Sequence, residues 1–302
     1  MNKLLILFIP IVAACAQEDL KGFAVKEAVE AKLTIEDLHT DLDSIKYNIP
    51  WLDSSSINNT LINRVDVPTG YFRKKDKEGN FAHWLRRLPL KAGNPDVQLY
   101  NGGLKGYQNG HAFVINMDVG TKNLQQCADA TMRLRAEYLY GNNKQDSIHF
   151  NYTNGANVQF YKWKSGLYPV PKSGKVNWVN STKNNNSYAS FKKYMIQIFN
   201  YAGTLSLSRE LAPVVIESIK PGDIFCHGGS PGHAVMVMDV VENELGNKMF
   251  LIAQSYMPAQ EMHILKNPND AVFSPWYNLS EIGEEINTPE WTFNRAELMR
   301  WN

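Results

Sequence analysis

The side chains able to make or break covalent bonds are few: three cysteines, Cys15, Cys127 and Cys226, and, among seven histidines, two that open apolar strands, His111 and His233. A thiol becomes a nucleophile where its surroundings favour thiolate, and the first turn of a helix does this with unpaired N–H groups and the positive end of the dipole. Gly120-Thr121-Lys122-Asn123 has helix-start chemistry, and Gln126 follows Asn123 at capping-box spacing, so Cys127 is expected in the first turns of a helix running from Leu124 to Tyr140. The same spacing also fits plain packing, because Leu124, Cys127, Ala128, Thr131, Leu134 and Tyr138 share one helical face. Asp129, Arg133 and Glu137, spaced by four, read as ion pairs on the helix surface.

The imidazole belongs to the stretch Lys220 to Val237, where a turn leads into a short strand, a Gly/Pro-rich loop reverses the chain, and His233 opens the next strand. A histidine held there by the sheet, with its tip open to solvent, has the pKa range of a general base; a structural hydrogen-bonding role is the alternative. His111 opens a similar strand, Gly110 to Val119, but follows the less open Gln108-Asn109-Gly110. Cys226 ends the apolar strand Ile224-Phe225 and reads as a buried structural thiol, although a single disulfide with Cys127 is also open. Gly228-Gly229-Ser230-Pro231-Gly232 matches a nucleophile elbow, yet a strand follows where that motif requires a helix. Cys226, His227, His233 and His263 lack the spacing of a zinc site, and no Walker-type phosphate loop occurs, so no metal and no cofactor is expected.

Cys15 has different chemistry. Lys3, the apolar run Leu4 to Val12 and Val12-Ala13-Ala14-Cys15 follow the order of an export signal that ends at a lipid-modified cysteine. The run is shorter than the about 20 residues that span a bilayer. Residues 1–14 are thus expected to be removed and lipid on Cys15 to tether the chain to a membrane of the cell envelope, most simply the outer membrane. More than one acyl chain makes such an anchor lasting.

These groups are carried by an ordinary globular composition, 44% hydrophobic and 20% charged, with 31 basic and 30 acidic residues. That balance favours neither nucleic acid nor an anionic surface as partner. Residues 15–50 are polar and acidic with scattered Leu and Ile and read as a stalk, and 51–302 as a single domain. Val97 to Tyr100 and Ala112 to Ile115 are strand-like, Phe191 to Phe199 and Ser206 to Ile219 helix-like, and Ser173 to Tyr188, rich in Asn, Ser and Lys, a surface insertion. Asp223 to Phe225, His233 to Val241 and Lys248 to Tyr256 read as strands, the last two joined as a hairpin. Segregated helices and strands give an α+β domain. Trp163, Tyr168, Trp178 and Tyr188 are read as core or loop anchors rather than sugar platforms.

Pro221-Gly222-Asp223-Ile224, then Gly232-His233-Ala234-Val235, and a hairpin ending in Ala253-Gln254-Ser255-Tyr256 resemble the histidine half of the NlpC-like and CHAP (cysteine, histidine-dependent amidohydrolase/peptidase) families. Gln126-Cys127 at a helix start resembles their cysteine half, in the same order along the chain. Leu124 to Ala130, Arg133 to Leu139, Tyr201 to Leu207 and Ala253 to Gln260 resemble an uncharacterised lipoprotein family, domain of unknown function 4846, over about residues 60 to 300. The first resemblance implies a papain-like fold, with a helix carrying Cys127 packed on an antiparallel sheet carrying His233 and with insertions. It further implies a thiol nucleophile, a histidine base and a polar orienting residue at Gln254 or Ser255, cleaving an amide bond in the envelope with peptidoglycan as candidate substrate. A glutamine there orients an imidazole through its amide oxygen but brings no full charge. The alternative reading is a silent papain-like domain that binds envelope peptide or glycan.

Overall fold

A computed structural model describes residues 49–51 and 58–302; the signal, Cys15 and the stalk up to residue 48 lie outside the described residues. In chain order the elements are α1 (Leu61–Arg64), β1 (Tyr71–Phe72), α2 (Phe81–Arg86), β2 (His111–Val114), α3 (Cys127–Gly141), β3 (His149–Asn151), β4 (Asn157–Gln159), α4 (Phe160–Lys164), β5 (Leu167–Lys172) and β6 (Lys175–Asn180). They continue as α5 (Tyr188–Tyr201), α6 (Thr204–Glu210), β7 (Ala212–Pro213), β8 (Ile224–His227), β9 (His233–Asn243), β10 (Lys248–Gln254), β11 (His263–Leu265), β12 (Tyr277–Asn278), β13 (Glu285–Asn287), β14 (Thr292–Asn294) and β15 (Leu298–Arg300).

The fold is mixed α+β around an antiparallel sheet of order β2-β11-β10-β9-β8-β15-β7, with β1 against β9 and β12 against β10. The central strands β9 and β10 are the expected hairpin, and both are covered on both faces. Side chains alternate across a sheet. Ala234, Met236 and Met238 of β9 and Leu251 and Ala253 of β10 join the larger core beneath the helices. Val235, Val237, Phe250 and Ile252 join a second core on the opposite face, with Phe225, Leu265 and Phe293. The β9–β10 register shifts once: Asp239 pairs with Leu251 and Val237 with Ile252, leaving Met238 without a counterpart, a β-bulge.

Several expected elements take a different form. The helix begins at Cys127, not Leu124, because the Gln126 N–H is capped by Asp129 Oδ2 at 3.0 Å. Ser206 to Ile219 is not one helix: α6 ends at Glu210, Pro213 sits in the edge strand β7, and only Ile216–Ser218 turns again. The insertion from Ser173 supplies only the turn and second strand of a hairpin, β5–β6, closed by Ser173 and Gly174, both at positive φ (43° and 76°) as a two-residue turn requires. Val97 to Tyr100 forms isolated bridges rather than a strand. Trp163 and Tyr188 are anchors, the indole donating to Ser190 Oγ and the phenol to Glu137 Oε1.

Candidate functional site

Cys127 is the first residue of α3, which packs on β9. Its neighbours before the helix are pinned to the sheet: Ser255 Oγ lies 3.0 Å from Gln125 O and 2.7 Å from Gln260 O, and Asn123 Oδ1 accepts the Ala259 N–H at 2.7 Å. The half-buried thiol lies against the backbone N–H of Ala234, the residue after His233. Burial pushes this thiol up to about 11, more than the N–H groups of Ala234, Ala128 and Cys127 pull it down. Desolvation outweighs these N–H groups, so the resting group is a thiol rather than the thiolate expected at a helix start.

His233 shares its side of β9 with Val235 and Val237, and Gln254 shares its side of β10 with Phe250 and Ile252, so both rise on the face away from α3. His233 Nε2 is 2.7 Å from Gln254 Oε1. The Gln254 Nε2 donates to Glu290 Oε2 at 2.7 Å, and Glu290 Oε1 is held by Lys105 Nζ at 2.6 Å. An amide whose nitrogen faces a carboxylate must turn its oxygen to the ring, so Nε2 carries the proton and Nδ1 is the basic nitrogen. The row continues through His263, whose Nε2 is 3.5 Å from Gln254 Nε2, to His111, whose ring is 6.0 Å from that of His263.

The tip of His233 is not open to solvent as expected. The residue is 1% exposed, with its ring 4.7 Å from Tyr256, 5.4 Å from Trp291 and 5.7 Å from Phe293. Burial pushes it down to about 4, against the bond from Gln254, so it rests neutral. The Tyr256 hydroxyl lies within electrostatic reach of both Cys127 and Glu290.

The other candidates sit elsewhere. Ser255 faces the helix side and holds the chain before Cys127, so it is not beside the ring. His111 Nε2 is 3.1 Å from Pro95 O. Cys226 is buried on the helix side with its sulfur 3.7 Å from Thr204 O, and both it and Cys127 are free. Arg133 and Glu137 do pair, at 3.3 Å, but in the interior rather than on the surface, and Asp129 caps the helix instead of joining them. Gly228 to Gly232 connects two strands.

A family model described as domain of unknown function (4846) matches residues 61–300. The chain belongs to that family. No curated protein and no solved structure matched it. Within the matched 4846 domain lie all of Cys127, His233, Gln254, Lys105 and Glu290. The last two, with Trp291, escaped sequence reasoning: they sit in loops without periodicity, and only Tyr256 stood in a motif already singled out. Among the described residues, no helix is long and apolar enough to cross a membrane.

Proposed function

We propose that this domain is a papain-like cysteine hydrolase that cleaves an amide bond in the cell envelope, where lipid on Cys15 holds it. The observation that carries the reading is the 2.7 Å contact of His233 Nε2 with a Gln254 amide fixed from behind by Glu290, while the Cys127 thiol at the start of α3 lies against the backbone N–H of the next residue along β9, Ala234. Glu290 offers the developing imidazolium a carboxylate one hydrogen bond further out, which answers the missing charge of a glutamine orienter.

In this mechanism His233 Nδ1 removes the Cys127 proton as the sulfur attacks the carbonyl carbon. The N–H groups of Cys127 and Ala128, which already face the sulfur, are the donors available to the oxyanion. The proton passes from His233 to the departing amine as the C–N bond breaks. Water, deprotonated by the same ring, then hydrolyses the thioester and returns the thiol. A ground state of thiol and neutral imidazole makes proton transfer part of the attack instead of a prior equilibrium.

A second reading, a silent domain that binds envelope peptide or glycan, is favoured by the burial of His233 and the raised thiol. Incubation with purified peptidoglycan separates the two. The hydrolase releases new amino groups, and Cys127→Ala and His233→Ala each abolish the release while circular dichroism stays unchanged. Binding without release, together with a Cys127 that iodoacetamide leaves unlabelled in the folded chain, hands the site to the second reading.

A further inference from the structure

A cavity of about 230 Å³ lies where α2 meets α3, bordered by the turn 220–223 before β8 and by the end of β15; neither Cys127 nor His233 lines it. Arg135 of α3 reaches it over an aromatic shelf, its guanidinium carbon 5.2 Å from the centre of the Phe81 ring and 5.7 Å from that of Tyr138. The two rings are 4.9 Å apart, and both are fixed. The Tyr138 hydroxyl donates to Gly79 O at 2.9 Å, and Phe81 occupies the space of a side chain at position 222, 2.7 Å from where the Cβ would stand.

The charges around this cavity do not balance. Asp76 is taken by Arg86, and Asp223 by Arg300 at 2.6 and 2.8 Å. The half-buried Arg135 and the exposed Lys220 remain, and among the described residues neither side chain has a hydrogen bond or an ion pair. Burial pushes Arg135 down, and only the Tyr138 phenol opposes it; in Arg86 and Arg133 the same burial is overcome by carboxylates. A chain with a net charge of only +1 thus gathers two unmatched cations at one cavity. A guanidinium drawn out of water with no acid beside it is costly, and an anion in the cavity offsets that cost.

Donor geometry and walls narrow the anion. A guanidinium fork matches a planar carboxylate with two parallel N–H bonds, and the Lys220 ammonium adds a point charge. Phe81, Ala82, Pro221 and Trp301 make much of the remaining wall apolar, which suits a carboxylate on a short carbon chain. A phosphate sets oxygens without donors against that wall. The volume is below the about 300 Å³ at which drug-sized sites begin, so the ligand has few atoms.

We propose that Arg135 and Lys220 form a binding site for a small organic carboxylate, held on the Arg135 fork with its carbon chain against Phe81 and Pro221. The site is independent of any reaction at Cys127.

The probe is sodium butyrate, titrated at low ionic strength into the isotope-labelled chain and followed by nuclear magnetic resonance of the Gly222 amide, which borders the cavity. A saturating shift at millimolar butyrate is expected. Arg135→Gln abolishes saturation, and Arg135→Lys, which keeps the charge but not the fork, weakens binding roughly tenfold. Lys220→Met weakens it severalfold, and because that side chain is exposed, this variant tests the site even where a change at Arg135 costs the fold. Absence of saturation up to about 100 mM butyrate, unchanged binding by folded Arg135→Gln or by Lys220→Met, or tighter binding of inorganic phosphate than of butyrate each overturns the proposal.

Discussion

Gln254 has two ends of opposite polarity, and both are used: the oxygen holds His233 and the nitrogen holds Glu290. A leucine in its place fills the volume but leaves a buried ring nitrogen and a carboxylate oxygen without partners. Gln254→Leu is expected to cost about 1–3 kcal/mol in urea unfolding and to lower amide hydrolysis about 100-fold in kcat with little change in KM, since the lost contact orients the ring and does not bind substrate. A variant with full activity removes Gln254 from the machinery. The pairing of His233 with Gln254 was within reach of the sequence because a two-strand hairpin fixes which residues stand side by side. The thiol state was not, because it depends on how far the sulfur is desolvated, and no spacing encodes that. Nor was Glu290, which reaches the row from a loop whose path the local sequence does not set.

At the scale of the element, the strands were more legible than the helices around them. The long apolar runs of β9, broken only by Asp239, and of β10, with a polar turn between them, leave one reading, whereas Ser206 to Ile219 carries an apolar rhythm that its proline interrupts at the sheet edge. What holds the far half of β9 was hidden. Asp239, fully buried, is met by Arg73 Nε and Arg86 Nε, each at 2.6 Å, which tie β1 and α2 to the strand. Burial alone raises that carboxyl, but Arg86 and Arg73 outweigh it and hold it below its ordinary value. Removing the acid strands two buried guanidinium groups, so Asp239→Ala is expected to destabilise the domain by about 3–5 kcal/mol in urea. A loss under about 1 kcal/mol shows that water replaces the carboxylate.

For the molecule as a whole, buried titratable groups set a pH window of stability. Burial pushes Glu137 up to about 7 and Asp129 up to about 8, so the stability they confer is complete below their unfolded values, near 4, and is lost as pH rises through 7 and 8. Burial pushes His233 down to about 4 and His263 to about 3, so their contribution is present above 6.5 and is lost as pH falls to 4 and 3. Between about 4.5 and 6.5 the two trends oppose. The urea midpoint is therefore expected to be flat there and to fall on both sides; a midpoint that climbs from pH 6.5 to 8 contradicts these assignments. The tether has its own test, since Cys15→Ser is expected to move the chain from the membrane pellet to the soluble fraction.

Met238, the unpaired residue in β9, acts as a phase shifter. His233 and Asp239 both have odd numbers, and in an uninterrupted strand such residues look the same way. One extra residue between them reverses the phase, so a single strand delivers a carboxylate to the arginines of the helix side and an imidazole to the other. Losing that residue closes the bulge and leaves both faces as they are. Ironing it flat with its residue retained turns His233 toward α3 and away from Gln254. The bulge, rather than the strand's length, therefore decides which face the imidazole meets, and no substitution at His233 or Gln254 restores that facing once the bulge is ironed flat.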